Sequence, residues 1–237
     1  MSAELLHWHA PGRYSVAFTT RRGGVSSGPY DSLNLGLKTD DDPESVAENR
    51  RLVTTQLGLD PERLALNVQQ HGTTVLRAQA GQRGEPADAL WTDEPGLPLL
   101  VLAADCLPIV LVRVDGAPAL AVVHAGWRGL LDGIIGNAVG ELGPGLLAAA
   151  VGPAIGPCCY EVGEEVATPF TERFGQDVVA ARHLDLRAAA TLALAAAGVT
   201  QIDHVDRCTS CDPEQAFFSH RRDRGLTGRQ GVLAAIA

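Results

Sequence analysis

Three residues carry the right chemistry for a metal ion: His71 in QQHG, Cys106 in AADC and His124 in VVHAGWRG. Each falls where an apolar, strand-like run meets a small or turn-prone residue. Each is therefore expected at a strand end, where side chains from neighbouring strands converge. Two imidazoles and one thiolate suit Zn²⁺, and three protein ligands leave a fourth position open to water or substrate. The gaps of 35 and 18 residues between them are not a local chelate. Residue types alone leave three readings open. The set is a metal site, or Cys106 and His124 form a thiolate–imidazole nucleophilic pair, or both are core residues, since free cysteine is among the most buried types.

Two stretches have the composition to hold an anion. TTRRGGVSSG joins Arg21 and Arg22 to a glycine loop whose backbone N–H groups can form a nest. It is not a P-loop, because no GK[ST] follows. SHRRDRGLTGRQ gathers His220, Arg221, Arg222, Arg224 and Arg229 in an otherwise acidic chain. Arg128 is the most pointed phosphate candidate, because it follows the strand end that carries His124. Trp127 reads as a packing or ring-stacking residue. Asp105, beside Cys106, is expensive to bury unpaired, so it must reach a donor or serve the site. Tyr160 and Glu161 follow a tight turn, where capping and packing account for them. The CTSC of Cys208 and Cys211 has ligand spacing, but a structural zinc needs a second pair. Cys158 and Cys159 are adjacent, which is poor geometry for one, so these four read as thiols near turns.

The bulk numbers narrow the function class. The 237 residues are 46% hydrophobic and 20% charged, the mark of a chain with a large core. The net charge of −9 argues against nucleic acid as an electrostatic partner. No apolar run approaches the roughly 20 residues of a membrane helix, since Asp105 and Pro108 interrupt the longest. The N-terminal MSAELLHWHAPGR lacks the order of a signal peptide, so a cytoplasmic protein is expected. Five cysteines in that setting are thiols, ligands or core residues rather than a disulfide framework.

The elements that must position these residues follow from periodicity. Strands are expected at Ser15–Thr20, Leu66–Ala78 (broken at His71-Gly72), Leu99–Ala104, Ile109–Val114, Ala119–Val123, Leu147–Val151, Ile202–Arg207 and Val232–Ile236. The continuous apolar runs among them are the pattern of strands covered on both faces. Helices are expected at Pro43–Leu57, with Asp42 as N-cap, at Leu130–Leu142, and at Ala188–Ala197, closed by Gly198. Without repeats or linkers, and without strict βαβ alternation, the pattern implies one α+β domain over residues 1–237.

With these motifs assembled, the chain resembles the laccase-domain or polyphenol oxidoreductase family. Bacterial members of that family are also described as purine nucleoside phosphorylases and as peptidoglycan editing factor. The matching residues run in the family's order: FTTRRGGVSSGPYDSLNLG, DDPESVAENR, QQHG, ADCLPI, VVHAGWRG, GPAIGPCCYEVG, FFSHRRD and TGRQ. The resemblance implies that His71, Cys106 and His124 are zinc ligands. It implies a compact α+β fold of mixed sheets flanked by helices, related to cysteine hydrolases. It also implies phosphorolysis of adenosine, inosine and methylthioadenosine, with deamination of adenosine. Arg21, Arg22 and Arg128 are then the residues expected to meet phosphate, and Cys106, His124 and Arg128 to serve catalysis. Two rivals share the pattern. A peptidoglycan-precursor amidase would use the same zinc against an amide. A multicopper phenol oxidase would need many imidazoles in HxH pairs, and the chain has seven histidines and one such pair, His7-Trp8-His9, in an N-terminal stretch expected to be loose. The oligomeric state is left open.

Overall fold

The computed structural model describes residues 2–237. In chain order its strands are β1 (Leu5–His7), β2 (Tyr14–Thr19), β3 (Val75–Arg77), β4 (Ala89–Thr92), β5 (Leu99–Ala103) and β6 (Leu107–Arg113). They continue with β7 (Leu120–Ala125), β8 (Leu147–Val151), β9 (Val179–Ala180), β10 (His183–Leu184), β11 (Gln201–His204) and β12 (Gln230–Ile236). The helices are α1 (Pro43–Gln56), α2 (Trp127–Asp132), α3 (Ile134–Leu142), α4 (Glu164–Phe174) and α5 (Leu186–Ala196).

Alternation along the apolar runs builds the layers, because successive strand residues point to opposite faces. In β6, Ile109 and Leu111 join the core shared with α2 to α5, while Val110 and Val112 turn to a second sheet. A strand apolar at every position must be covered twice, and this one is. The first sheet has six strands in the order β11-β8-β6-β7-β4-β3, with parallel pairs at its two ends and antiparallel pairs between. The second has four antiparallel strands, β1-β2-β12-β5. Phe18, Val101 and Val232 from the second sheet meet Val110 and Val122 from the first. On the outer side of the second sheet, Leu100 and Leu233 pack with Val53 of α1 and with Leu33, Leu35 and Leu64. The result is a helix, sheet, sheet, helix stack, and each such aliphatic side chain contributes roughly 1.5–3 kcal/mol by leaving water. This is the α+β class with mixed sheets that the sequence predicts.

Three local expectations are corrected. Residues 66–74 form no continuous strand: Val75–Arg77 pairs with β4 and Val68 makes an isolated bridge to Pro86, because His71 lies at φ 60° and the preceding chain bends around a buried carboxylate. The helix expected at Leu130–Leu142 is two helices that meet at Gly133, whose φ of 98° no L-residue adopts comfortably. The stretch around His7-Trp8-His9 is tied down: Leu5–His7 pairs with β2, and the Trp8 indole N–H donates to Asp203 at 2.8 Å. The sequence pattern also misses α4, which carries Pro169 inside it, and β4.

Candidate metal centre and ligand cavity

The hydrogen-bonded ends of β6 and β7 set the site. Pro108 is the register partner of His124, so Cys106, just before β6, reaches the same end of the sheet. His71 arrives from the loop before β3. The side-chain donors of His71, Cys106 and His124 all lie within 4.8 Å of one another, and the two imidazoles meet edge to face at 4.9 Å. His124 is buried, Cys106 partly open and His71 exposed, so the trio sits at the floor of an opening. The convergence expected from sequence is therefore present in space.

Asp88, one residue before β4, organises the trio and was not singled out in the sequence. Its Oδ1 accepts from the His71 N–H at 2.9 Å and lies 2.8 Å from His124 Nδ1. Its Oδ2 accepts from the N–H groups of Gln70 at 3.0 Å and Gly72 at 2.8 Å. Burial raises the Asp88 carboxyl, but the His124 hydrogen bond and these N–H donors outweigh it and hold it below the ordinary carboxylate range. An ionised Asp88 accepts the Nδ1 proton of His124, which leaves Nε2 as the nitrogen free to bind a metal. The signal in the sequence was a carboxylate embedded in PADALW, a position that is costly to bury unless it is saturated with donors.

Charge is distributed accordingly. Burial pushes the Cys106 thiol up, but His124 and His71 outweigh it and bring it down to about 6. Burial pushes His124 down, and the Cys106 thiolate and Asp88 reverse that, raising it to about 9. A thiolate held beside an imidazole whose second nitrogen is anchored by a carboxylate is the donor chemistry that Zn²⁺ takes, so the residues fit that ion.

The glycines of GWRG serve close approach of the chain to itself. A Cβ on Gly126 would lie 2.7 Å from His71 Cδ2 and 3.2 Å from Cys106 Sγ. One on Gly129 would lie 2.7 Å from the Gly72 carbonyl. They admit the His71 loop. Asp105, at φ 91°, is satisfied by the Thr209 hydroxyl at 2.6 Å and the Arg221 N–H at 2.7 Å. It reaches donors, one of the two outcomes expected for it.

The trio opens into a cavity of about 660 Å³, within the range of small-molecule sites. Its wall carries Lys38, Arg50, Arg83, Arg221 and Arg229. Backbone carbonyls hold these guanidiniums: Leu35 for Arg50, Leu64 for Arg83, Glu161 for Arg221, Thr227 and Gly228 for Arg229. Among the described residues none of the five forms an ion pair. Burial, and then the neighbouring Arg83, lower Arg50 to about 10, which leaves it charged at neutral pH. Tyr160 shares the cavity beneath the Arg221 guanidinium, and burial, then the Cys106 and Asp105 charges, push its phenol up to about 12.

The arginines expected to meet phosphate lie elsewhere. Arg21 donates to the Asp31 carbonyl and stacks over Phe218. Arg22 pairs with Glu4 and the Glu214 carbonyl. Arg128 is exposed and stacks 4.2 Å over Trp127; its charge reaches Tyr160 of the cavity wall, although it does not itself line the cavity. Of the SHRRDRGLTGRQ cluster, His220, Arg221 and Arg229 reach the cavity, whereas Arg222 is spent on Asp223 and the carbonyls of Thr209 and Phe217. Sequence composition locates the cluster but not which members turn inward.

Comparison with known proteins places this geometry in a family. The chain is 40% identical to the purine nucleoside phosphorylase YlmD of Geobacillus stearothermophilus, over 93% of this chain and 89% of that one. It is 41% identical to the purine nucleoside phosphorylase PA4543 of Pseudomonas aeruginosa, over 95% of each. The crystal structure of YlmD from Geobacillus stearothermophilus superposes with a TM-score of 0.87, at 35% identity, covering 98% of this chain and 96% of that one. The family model described as multi-copper polyphenol oxidoreductase laccase matches residues 15–237, and the chain belongs to that family.

Proposed function

We propose that the protein is a zinc-dependent purine nucleoside phosphorylase with adenosine deaminase activity. The observation that carries this reading is one cavity combining a His71–Cys106–His124 donor set with five cations that, among the described residues, form no ion pair with a carboxylate. The names of relatives near 40% identity support the same substrate class. When bound, a zinc ion supplies Lewis acidity, polarising an oxygen or acidifying water at its open position.

The chain's own residues supply the rest. In phosphorolysis a phosphate oxygen bonds to the ribose C1′ as the glycosidic C–N bond breaks. The bonding pair leaves with the purine, which takes up a proton. Arg83, Arg221 and Arg229 offer planar N–H donors to the phosphate, and fixed charge in a partly water-excluded cavity is worth more than in water. Tyr160 remains a neutral phenol at physiological pH and offers a hydrogen-bond donor within the same wall. In deamination, water replaces the C6 amine of adenosine, giving inosine and ammonia.

Copper oxidation fits the donor set less well. Among the described residues only His71 and His124 bring imidazoles into a group of three or more metal donors, fewer than several coppers require.

The test measures bound metal, then identifies the products of adenosine with and without phosphate. Adenine and ribose 1-phosphate appearing only with phosphate support phosphorolysis, and inosine reports deamination. A Cys106→Ala variant that loses zinc yet keeps full nucleoside turnover overturns the site. Hydrolysis of a muropeptide precursor without nucleoside turnover replaces this reading with the amidase.

A further inference from the structure

The four remaining cysteines are dispersed in sequence and gathered in space. The sulfurs of Cys158, Cys159, Cys208 and Cys211 all lie within 4.8 Å of one another, and those of Cys158 and Cys211 are 3.3 Å apart. The adjacent pair that looked unsuited to joint ligation is not in a strand, where successive side chains would diverge. It sits in a turn after Pro157, where the N–H groups of Cys159 and Tyr160 both donate to the Gly156 carbonyl. The turn at 208–211 lies against it through the Ala154–Cys208 bridge and the Thr209 N–H to the Ala154 carbonyl. The second pair that a CxxC needs is therefore the one that precedes Tyr160.

We propose that Cys158, Cys159, Cys208 and Cys211 bind a single zinc ion as a structural tetrathiolate site, separate from the His71–Cys106–His124 centre. Sulfurs bonded to zinc at about 2.3 Å stand about 3.8 Å apart in a tetrahedron. The observed 3.3 Å and the 4.8 Å limit bracket that edge. A multi-iron cluster would hold its thiolates farther apart. A disulfide would engage two of the four sulfurs, need a separation near 2.05 Å and leave the other two unexplained.

The surrounding backbone suits anionic sulfur. The Gly156 N–H donates to Cys208 Sγ at 3.2 Å, an interaction that strengthens when the acceptor carries charge. A Cβ on Gly156 would lie tightly against Cys158 Sγ, at 3.2 Å, and in ordinary contact with Cys208 Sγ, at 3.7 Å. Four protein ligands close the coordination sphere, which is the arrangement of a structural ion.

Its place explains its use. Tyr160 follows Cys159 directly, and Thr209, between Cys208 and Cys211, donates to Asp105 beside Cys106. The ion would clamp together two turns that back the ligand cavity without touching its contents. This inference does not depend on which substrate the cavity takes.

The decisive measurement is metal content with two sets of variants. Wild-type protein purified with zinc and without chelator is expected to hold about two ions per chain, one for each donor group. H71A/H124A should retain about one ion, and its Co²⁺ form should show the sulfur-to-cobalt charge-transfer and intense d–d bands of four-thiolate tetrahedral coordination. C158S/C211S, which alters the two exposed sulfurs, should lose one ion and keep the other. Metal-free H71A/H124A, or a Co²⁺ spectrum without those bands, overturns the proposal. So does a disulfide among the four in wild-type protein purified without reductant and holding one zinc. If C158S/C211S fails to fold, wild-type stoichiometry and the H71A/H124A spectrum still decide.

Discussion

The Asp88 carboxylate lies 2.8 Å from His124 Nδ1 and, through the same oxygen, accepts the N–H of His71 at 2.9 Å. One side chain therefore fixes both imidazoles of the candidate centre. It orients one ring directly and holds the loop that carries the other.

Asp88→Asn should lower zinc affinity about 10–100-fold, the usual cost of losing a carboxylate behind a ligating histidine. Competition with a chromophoric chelator measures it. Unchanged affinity would reduce Asp88 to a loop anchor.

Gly126→Ala tests the close approach of the chain to the centre. Gly126 has φ −74°, which alanine adopts freely, so the effect is steric, with the new Cβ 2.7 Å from His71 Cδ2. Zinc binding should weaken at least about tenfold, the equivalent of 1.4 kcal/mol. Gly136→Ala, within α3 and facing open space, serves as the contrast and should stabilise by about 0.5–1 kcal/mol in denaturant melts. Equal zinc affinity in the two variants would remove the steric argument.

Arg83→Met and Arg221→Met should each raise the KM for phosphate about 10–100-fold, since a hydrogen bond to a charged group contributes about 1.5–3 kcal/mol. Arg22→Met, whose guanidinium pairs with Glu4 outside the cavity, should leave that KM unchanged. The reverse pattern would return phosphate to the glycine loop.

Acid stability should respond to Asp212. Burial raises its carboxyl, but a two-pronged hydrogen bond from Arg207 and the Ala216 N–H outweigh it and hold it below the ordinary range. A folded-state value below the unfolded one gives stability that is present above about pH 4 and is lost as pH falls through the folded value. The melting-temperature gap between wild type and Asp212→Asn should therefore be widest near neutrality and close below about pH 4. A gap independent of pH would assign the effect to packing.

Apolar runs made the sheets legible. Residues 107–112 and Leu120–Ala125 have few other ways to bury every residue, and Asp42 with Pro43 marked the start of α1. Departures arose where a single residue redirects the chain. Gly133 divides a periodic helix, and Pro169 hides one. Cys106 and His124 were legible because residue type and strand ends coincide, whereas His71, which lies in a loop before β3, was legible by residue type and by the QQHG motif of the resemblance. Asp88 was not, since a lone aspartate carries no period, and its role exists only once four donors surround it. Of the inward arginines, Arg221 and Arg229 were legible only as members of a cluster and Arg50 and Arg83 not at all, since composition counts charges while carbonyls such as those of Leu35 and Glu161 decide which way they face. Cys158 and Cys159 were read as thiols near a turn, and a turn is where they lie; what their adjacency could not reveal is that this turn sets their sulfurs beside those of Cys208 and Cys211.

β12 lies between β2 and β5 in the four-stranded sheet, so the segment near residue 236 acts as a keystone rather than a trailing edge. Cleavage before Gln230 would strip both neighbours of their pairing at once and expose two raw sheet margins, the template for intermolecular association. It would also unseat Arg229, whose backbone N–H is held by Asn34. Proteolytic clipping in this region should thus yield precipitate instead of a shortened, folded chain.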